Sequence, residues 1–355
     1  MNARRPVLVA PDKFKGTLTA PEAAAAIGRG LVAGGLERVE ALPVADGGEG
    51  TMDCIVHALG GRLAAVEASD PLGRPIHAAF GLVEDGRTAV VEMAQASGLW
   101  RLRPDERDPI AASTRGTGEL IAAAIESGAR EVVIGVGGSA TTDGGRGALE
   151  ALGARFTKKS ADVTELRRRL RGIKLSVACD VRAPLVGAAG AAREYGPQKG
   201  AGGAEVERLE RRLRDWARLA RKTAGREIAD LPMAGAGGGF AGGLWAFAGA
   251  ELRPGAALVL ETLGFDALMR DAYAVVTGEG RLDEQTLAGK AVFEVSTRCR
   301  QAGVPCYAVV GQDEFDAFER RLLNLEVEAA ARQGNSASVD QIEQAARRLA
   351  RRMVP

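Results

Sequence analysis

The sequence predicts an α/β protein of about two domains, and three observations support this prediction. The chain has 355 residues, more than the ~100 to 200 residues of a typical single domain. Short runs rich in Val, Leu and Ala alternate with longer segments of helical periodicity, which is typical of a parallel sheet covered by helices. Hydrophobic residues make up 46% and charged residues 26%, as in an ordinary folded chain. We therefore expect two α/β domains around a cleft.

Six apolar runs are predicted to be strands. Each is short, and each ends where glycine or charged residues begin. The predicted strands are residues 7–10, 40–44, 131–136, 175–178, 273–277 and 305–310.

Two helices are predicted from specific patterns. Thr19 followed by Glu22 forms a capping box that opens a helix to about residue 32, and Gly34 and Gly35 end it. A second helix, around residues 206–219, has apolar positions on one face and arginines on the other, which we interpret as a solvated face. The apolar positions are Val206, Leu209, Leu213, Trp216 and Leu219, and the arginines are Arg208, Arg211, Arg212 and Arg218.

The pattern of apolar segments and turn residues changes between residues 71 and 103. Gly and Asp-Gly turns separate alternating segments there, which predicts antiparallel hairpins. Strands that resemble the first two return only after residue 270. We therefore assign residues 1–70 and 270–355 to one discontinuous domain with a Rossmann- or flavodoxin-like parallel sheet, and residues 71–269 to an inserted α/β domain with a mixed sheet.

Composition excludes several classes of function. The net charge is +1 and aromatic residues are 4%, so the basic footprint and the stacking surface of a nucleic-acid binder are missing. The four cysteines form no CxxC pair and are expected to be reduced. No apolar run is long enough for a membrane span, and residues 7–10 are too short for a signal-peptide core, so we expect a cytoplasmic protein. A histidine zinc site or triad is not expected, because His57 and His77 lie singly in a predicted helix and strand.

Charged residues and glycines follow five of the predicted strands. In open α/β sheets ligands bind at the carboxyl ends of the strands. One acidic turn could be only a helix cap, but five together predict a functional site. The residues concerned are Asp12, Lys13, Lys15, Asp46, Glu49, Ser139, Asp143, Asp180, Glu279, Arg281 and Asp283.

Two glycine-rich loops have the composition of phosphate-binding loops. Residues 137–141, which include Gly137, Gly138, Ser139 and Thr141, join a strand to a helix and expose backbone N–H groups at the positive end of a helix dipole. The stretch "DGGEGT" repeats this arrangement with Gly47 and Gly48. A third stretch has GxGxxG spacing at Gly237, Gly239 and Gly242, and is interpreted either as close helix packing or as a nucleotide contact.

Two lysines near glycine turns could neutralise phosphate or could be surface charges. Lys290 lies in "GEGRLDEQTLAGKAV", which is not a P-loop because its spacing is wrong and Ala291 replaces Ser or Thr. Lys199 lies in "GPQKGA". Glycine loops, lysines and carboxylates without histidine are the parts of phosphoryl transfer with Mg²⁺ held by carboxylates.

Five long stretches give the chain a resemblance to a known family. "PDKFKGTLTA", "PVADGGEGT", "GVGGSATTDGG", "ACDVRAPLVGAAGAAREYGPQKGA" and "VVTGEGRLDEQTLAGKAV" resemble the motifs of the bacterial glycerate kinase family, which includes glycerate 2-kinases, in order from residue 6 to about 310. The resemblance implies two α/β domains flanking a cleft, ATP and Mg²⁺, and D-glycerate as the phosphorylated hydroxyacid. We also consider a homodimer.

The resemblance also implies a set of site residues. Asp180 is interpreted as the base, Glu279 and Asp283 as metal ligands, and the lysines as ligands of the glycerate carboxylate or of phosphates. The predicted catalytic residues are Asp12, Lys15, Asp46, Asp180, Lys199 and Lys290, and the predicted nucleotide- or phosphate-binding residues are Gly47, Gly48, Gly137, Gly138, Ser139, Thr141, Asp143 and Gly237.

Two departures and two alternatives accompany this hypothesis. The segment 157–174 is shorter and more charged than expected for the family, and the segment after Gly311 lacks a clear apolar strand. A nucleotide-dependent dehydrogenase would require a strand just before Gly237. A metabolite-sensing module would bind the ligands without turnover. The sequence does not decide between the 2- and 3-hydroxyl, and we expect 2-phosphoglycerate rather than 3-phosphoglycerate.

Overall fold

The computed structural model of the chain describes residues 5–287, 289–331 and 337–353. Four parts of the sequence lie outside the described residues, namely residues 1–4, Ala288, residues 332–336 and residues 354–355. They include both termini of the predicted first domain, one residue of the segment with Lys290 and part of the C-terminal segment. The chain divides into two compact units. The first consists of Met1–Asp46, Asp53–Ala58 and Ala256–Pro355, and the second of Gly47–Met52 and Leu59–Gly255.

The strands and helices of the described residues follow one another in α/β alternation. The strands are β1 Val7–Pro11, β2 Val39–Ala41, β3 Arg62–Ser69, β4 Pro75–Val83, β5 Thr88–Glu92, β6 Glu131–Gly135, β7 Arg155–Phe156, β8 Ala161–Asp162, β9 Lys174–Cys179, β10 Glu251–Pro254, β11 Ala274–Gly278, β12 Arg281–Leu282, β13 Cys306–Val310, β14 Gln312–Asp313 and β15 Glu326–Ala329. The helices are α1 Ala20–Ala33, α2 Thr51–Ala58, α3 Ala94–Ser97, α4 Arg115–Glu126, α5 Arg146–Ala151, α6 Thr164–Arg169, α7 Ala191–Tyr195, α8 Gly203–Ala224, α9 Phe240–Gly243, α10 Gly255–Thr262, α11 Phe265–Asp271, α12 Glu284–Leu287, α13 Ala291–Ala302, α14 Ala317–Leu323 and α15 Val339–Met353. Short 3₁₀ turns cover Glu84–Gly86, Leu99–Arg101, Pro104–Glu106 and Pro197–Lys199, and a π turn covers Leu244–Ala248.

The first unit contains a parallel sheet. Its strand order in the described part of the chain is β15-β13-β11-β1-β2, and every neighbouring pair is parallel. N- and C-terminal strands therefore share one sheet. Helices α1 and α15 pack together on this unit, where Gly30 of α1 lies so close to the Glu343 carbonyl that a side chain would overlap it.

The second unit contains a mixed sheet. Its strand order in the described residues is β10-β9-β6-β5-β4-β3. The β10, β9, β6 and β5 strands are parallel, whereas β4 pairs antiparallel with both β5 and β3. One parallel and one mixed sheet with helices confirm the predicted α/β class, and the β4–β5 pair is the hairpin predicted between residues 71 and 103.

The predicted strands agree with the structure to within one or two residues, except at β2, and the helix predicted around residues 206–219 extends over Gly203–Ala224. The strand predicted over 40–44 shortens to Val39–Ala41, although Leu42 N–H still donates to Val9 O at 2.8 Å and Val44 N–H to Pro11 O at 2.9 Å. Pro43, which has no N–H, lies between these two donors, and the hydrogen bonds to β1 continue on both sides of it. At α1 the capping box is confirmed, because Thr19 accepts from Glu22 N and Glu22 accepts from Thr19 N.

The packing of four segments differs from the sequence-based assignment. The sequence assigns residues 47–52 and 59–70 to the first domain, but both segments belong to the second unit. Within the latter segment, Arg62–Ser69 form β3, which pairs with β4. Residues 256–269 belong instead to the first unit. The C-terminal segment, which lacks a clear apolar strand pattern, nevertheless contributes β15, a parallel strand at the edge of the sheet beside β13. Among the described residues, no helix is both long and apolar enough to cross a membrane.

Candidate active site

Two carboxylates lie at the carboxyl ends of neighbouring strands in the first unit. Asp12 and Glu279 each follow a residue of the register pair Pro11↔Gly278 of β1 and β11, and the Asp12 N–H donates to Gly278 O at 2.8 Å. The side chains of Asp12 and Glu279 are buried, with 5% and 6% of the residue exposed. The parallel pairing therefore brings together two acids that are 267 positions apart in the sequence.

Burial and repulsion by nearby acids raise the pKa values of both carboxyl groups. The pKa of Asp12 rises to about 7, chiefly through burial and then through the charge of Asp46, against the lowering effects of Lys13 and Lys290. The pKa of Glu279 rises to about 8, again chiefly through burial, although the Thr286 hydroxyl donates to it at 2.7 Å and Lys290 lowers it. A bound cation would relieve both charges.

Basic and polar groups surround these acids within the same unit. The Lys13 ammonium lies 3.6 Å from the Asp46 carboxylate. Lys290 is the residue that precedes α13. The exposed Lys15 belongs to the turn after β1, and a Cβ built on Gly280 would lie 3.2 Å from the Lys15 backbone nitrogen. The turns after β1 and β11 are thus packed against each other.

The acids of the first unit suit a magnesium ion that is completed by other ligands. Among the described residues, no three Asp, Glu, His or Cys side chains are grouped closely enough to hold a metal alone. Mg²⁺ usually takes one or two carboxylates together with water and substrate phosphates. The half-buried Asp283 raises the pKa of Glu279 through its negative charge. Its Oδ1 accepts a hydrogen bond from the Gln285 N–H at 2.9 Å. Asp12 and Glu279 therefore fit such a site, with Asp283 as a neighbouring negative charge.

The two predicted glycine loops of the second unit pack backbone against backbone. A Cβ on Gly137 would lie 2.6 Å from Gly48 Cα and 3.1 Å from Glu49 N. A Cβ on Gly47 would lie 2.8 Å from Gly255 Cα, and Gly47 has φ of +89°. Only glycine permits this approach and this conformation. The loops after β6 and before α2 consequently form one small-residue surface.

Lys199 is bound to the loop that follows β6. Its ammonium donates to Ser139 Oγ at 3.0 Å and to Thr141 O at 2.6 Å, and 3% of the residue is exposed. Burial lowers the pKa of Lys199 to about 8, and the charge of Asp143 partly opposes this shift. A buried ammonium next to backbone amides is suited to receiving an anion.

Asp143 holds the end of this loop through hydrogen bonds from the chain itself. Its Oδ2 accepts from Thr114 N–H and Oγ1, both at 2.9 Å, and from Gly147 N–H at 3.1 Å, while Oδ1 accepts from Gly145 N–H at 3.0 Å. These bonds fix the turn between Thr141 and α5.

Asp180 and Gly237 occupy different surroundings. Asp180 follows β9 and is exposed. The pKa of the neighbouring Cys179 is raised to about 12, chiefly by burial and then by the charge of Asp180. Gly237 is packed, since a Cβ there would lie 3.0 Å from Met93 Sδ and 3.4 Å from Val136 Cβ. The described residues directly before Gly237 form turns and no strand, which removes the element required by the dehydrogenase alternative.

Glu92 is a residue that the sequence analysis missed. It is the last residue of β5, is 4% exposed, and accepts the Met52 N–H at 2.8 Å. This carboxylate stabilises the first turn of α2, directly after Gly47 and Gly48. A charged residue ending the apolar run "TAVVE" was the signal that could have revealed it.

The structure thus groups most predicted residues within their own units. In the first unit the electrostatically linked residues are Asp12, Asp46, Glu279, Asp283 and Lys290. In the second unit the packed or hydrogen-bonded loop residues are Gly47, Gly48, Gly137, Ser139, Thr141, Asp143 and Lys199, with Gly138 O accepting from Leu99 N–H.

Comparisons with known proteins identify relatives along nearly the whole chain. The model of the glycerate kinase family matches residues 7–354. A glycerate kinase from Halalkalibacterium halodurans is 40% identical over 376 residues, with 97% of each chain covered. Glycerate 2-kinase from Escherichia coli K12 is 40% identical, with 86% of this chain and 84% of the relative covered.

A solved structure has the same fold. The crystal structure of a Salmonella typhimurium LT2 protein assigned as glycerate kinase 2 superposes with a TM-score of 0.86 and 36% sequence identity. The superposition covers 98% of this chain and 97% of the other.

Proposed function

The chain belongs to the glycerate kinase family, and on that premise we propose that this kinase transfers the γ-phosphoryl group of ATP to the 2-hydroxyl of D-glycerate, giving 2-phosphoglycerate. The observation that carries the proposal is the buried pair Asp12 and Glu279 at adjacent strand ends, with pKa values raised to about 7 and 8. Phosphoryl transfer needs Mg²⁺ beside the phosphates, and two buried acids provide its protein ligands.

The acids of the first unit are assigned to the metal. Asp12 and Glu279 would hold Mg²⁺ directly, and Asp283 would act on it from the neighbouring turn; when bound, the ion neutralises charge on the phosphates. Lys290 lowers the pKa values of Asp12 and Glu279, and its ammonium is available to a phosphate oxygen. Asp46 pairs with Lys13, and after burial its charge is the next cause that raises the pKa of Asp12. Lys15, exposed on the turn after β1, is assigned to the carboxylate of glycerate.

The glycine loops of the second unit are assigned to phosphate. Gly47, Gly48, Gly137, Gly138, Ser139 and Thr141 would present backbone N–H and hydroxyl groups to phosphate oxygens. Lys199 adds positive charge to the same loop, and Asp143 positions the loop from behind. Gly237 packs closely against Met93 and against Val136, which follows β6. We therefore assign Gly237 a supporting role beside the nucleotide-binding loop.

Asp180 is assigned as the general base. It would accept the proton of the attacking hydroxyl as the oxygen bonds to phosphorus and ADP leaves. An exposed carboxylate at the end of β9 is accessible to a small substrate. We further propose that the protein acts in the cytoplasm, with a homodimer as its assembled form.

One coupled assay tests the reaction and its position. The purified protein is incubated with ATP, MgCl₂ and D-glycerate, and the product is passed to enolase with and without phosphoglycerate mutase. A signal without mutase supports 2-phosphoglycerate. A signal that requires mutase would overturn the 2-hydroxyl assignment, and ligand binding without ATP consumption would favour the sensing module.

A further inference from the structure

A cavity of about 520 Å³ lies in the second unit beside α8. One wall is Thr142 and Asp143, directly after the loop held by Lys199. Another wall is the turn 157–159 between β7 and β8. Small-molecule sites typically have volumes of ~300 to 1,000 Å³. The cavity is therefore large enough for a nucleotide or a sugar phosphate.

The rim of this cavity is strongly basic. Of the described residues that line it, two are acidic, Asp143 and Asp215. Asp143 is engaged by backbone N–H groups, and Asp215 pairs with Arg218. The lining residues with positive charge are Arg146, Lys158, Lys159, Arg212, Arg218 and Lys222.

Within the described ranges, four of these six cations lack an acidic partner. Among the described residues, no carboxylate lies within ion-pair distance of Lys158, Lys159, Arg212 or Lys222. Arg212 and Lys222 instead donate to backbone carbonyls, those of Ile110 at 2.7 Å and Lys159 at 3.3 Å. Uncompensated like charges repel one another, and a multivalent anion would remove this repulsion.

The floor of the cavity is apolar but contains unsatisfied polar atoms. Leu213, Trp216 and Leu219 of α8 are buried. Within the described part of the chain, Thr142 Oγ1 and Trp216 Nε1 are buried without hydrogen-bond partners. Such atoms carry a cost unless water or a ligand supplies a partner.

We propose that this cavity binds a small molecule that carries two or three phosphate groups. Its cations match a polyphosphate, and its apolar floor can take a ring. Two sources offer this chemistry, namely the nucleotide substrate of the kinase and a separate phosphorylated effector. Thr142 and Asp143 continue the loop of Ser139 and Thr141, which favours the nucleotide. The nucleotide source rests on the proposed function, whereas polyphosphate binding itself does not.

A binding titration tests the cavity directly. Inorganic tripolyphosphate is titrated calorimetrically into the wild type, the Lys158→Gln/Lys222→Gln variant and a matched control, Arg208→Gln/Arg211→Gln. The control removes two exposed charges from α8 outside the cavity lining. We expect the cavity variant to weaken binding about fivefold or more, since exposed charge pairs each contribute a few-fold. The control should retain wild-type affinity.

Two results would overturn the proposal. One is no binding of tripolyphosphate to the wild type, and the other is an equal loss of affinity in both variants, which indicates only a general charge effect. All four substituted side chains are exposed, so thermal unfolding should be unchanged in both variants.

Kinetics with ATP and D-glycerate then identify the source of the phosphates. A higher KM for ATP in the cavity variant, with the KM for glycerate unchanged, supports the nucleotide. Unchanged KM values together with weaker tripolyphosphate binding support a separate effector. If the wild type shows no turnover, the proposed function fails, but the binding titration still decides whether the cavity holds a polyphosphate.

Discussion

Asp12 and Glu279 occupy equivalent positions on neighbouring parallel strands, each one residue beyond the pair Pro11↔Gly278. Both side chains are buried. After burial, the charge of Asp46 raises the pKa of Asp12, and the charges of Asp12 and Asp283 raise the pKa of Glu279. Such an arrangement costs stability in the free protein. It is therefore expected where the acids are needed for binding a cation.

Amide variants of these two acids should gain stability and lose activity. Asp12→Asn and Glu279→Gln remove a buried charge with little change in volume. We expect the unfolding free energy at pH 8 without metal to rise by about 1 to 4 kcal/mol, and turnover to fall by about 100-fold or more. Chemical denaturation and an ATP-consumption assay measure the two effects. A loss of stability together with a normal rate would contradict the assignment.

Magnesium binding should strengthen as the pH rises towards 8. The folded-state pKa values of Asp12 and Glu279, about 7 and 8, lie above the ordinary values of 3.8 and 4.5. Between pH 3.8 and about pH 8 the folded protein therefore binds more protons than the unfolded chain. Its free energy of unfolding without metal falls as the pH rises through this range. Mg²⁺ must displace those protons. Calorimetry in buffers of different ionisation enthalpy should show proton release below pH 8, and pH-independent affinity would refute this reading.

Gly137 should not tolerate a side chain. Alanine would place Cβ 2.6 Å from Gly48 Cα, so the two loops must separate. We expect a loss of about 1 to 3 kcal/mol of stability and a higher KM for ATP. Gly203→Ala is the matched control, because nothing lies within 4 Å of its added Cβ and it begins α8. Equal behaviour of the two variants would show that the loop contact is unimportant.

Lys199 should make anion binding sensitive to alkaline pH. The pKa of this amine is lowered to about 8, mainly by burial, so the folded protein binds fewer protons than the unfolded chain between about 8 and 10.5. Stability from this group therefore rises with pH in that window, while affinity for phosphate falls as the amine loses its charge. Lys199→Met should abolish the alkaline decrease in ATP affinity and leave only weak binding. An unchanged pH profile in the variant would exclude Lys199 from phosphate binding.

Asp180→Asn should abolish turnover while the protein remains folded. The substitution removes the proposed base with almost no change in size, and Asp180 is exposed, so unfolding should be little affected. Asp230→Asn, another exposed acid of the second unit, is the matched control. Turnover is measured with saturating ATP and D-glycerate. A near-normal rate in the Asp180 variant would remove this residue from the catalytic set.

The sequence predicts the strand ends of this fold well because their chemistry is local. The apolar run before Asp12 and the capping box at Thr19 and Glu22 need no tertiary information, and both are present in the structure. Asp12 and Glu279 lie close together because β1 pairs parallel with β11. The rule that ligands bind at the carboxyl ends of parallel strands was sufficient to predict that both acids belong to one site.

Other features depend on packing that local patterns do not encode. The sequence places residues 62–69 in the first domain and does not predict them as a strand, because they form β3 only through pairing with β4. β15 has alternating Glu residues and is half-buried at a sheet edge, so its apolar signal is weak. Arg212 and Arg218 were predicted as a solvated face, and they are exposed, but they also line the cavity beside Thr142.

The magnesium dependence of turnover tests the role of the buried acids most directly. MgCl₂ is titrated at fixed ATP and D-glycerate for the wild type, for Glu279→Gln, and for Glu37→Gln as an exposed-acid control of the same unit. We expect Glu279→Gln to require about tenfold or more Mg²⁺ for half-maximal rate, and the control to match the wild type. The same magnesium requirement in all three proteins would contradict a cation site at Glu279.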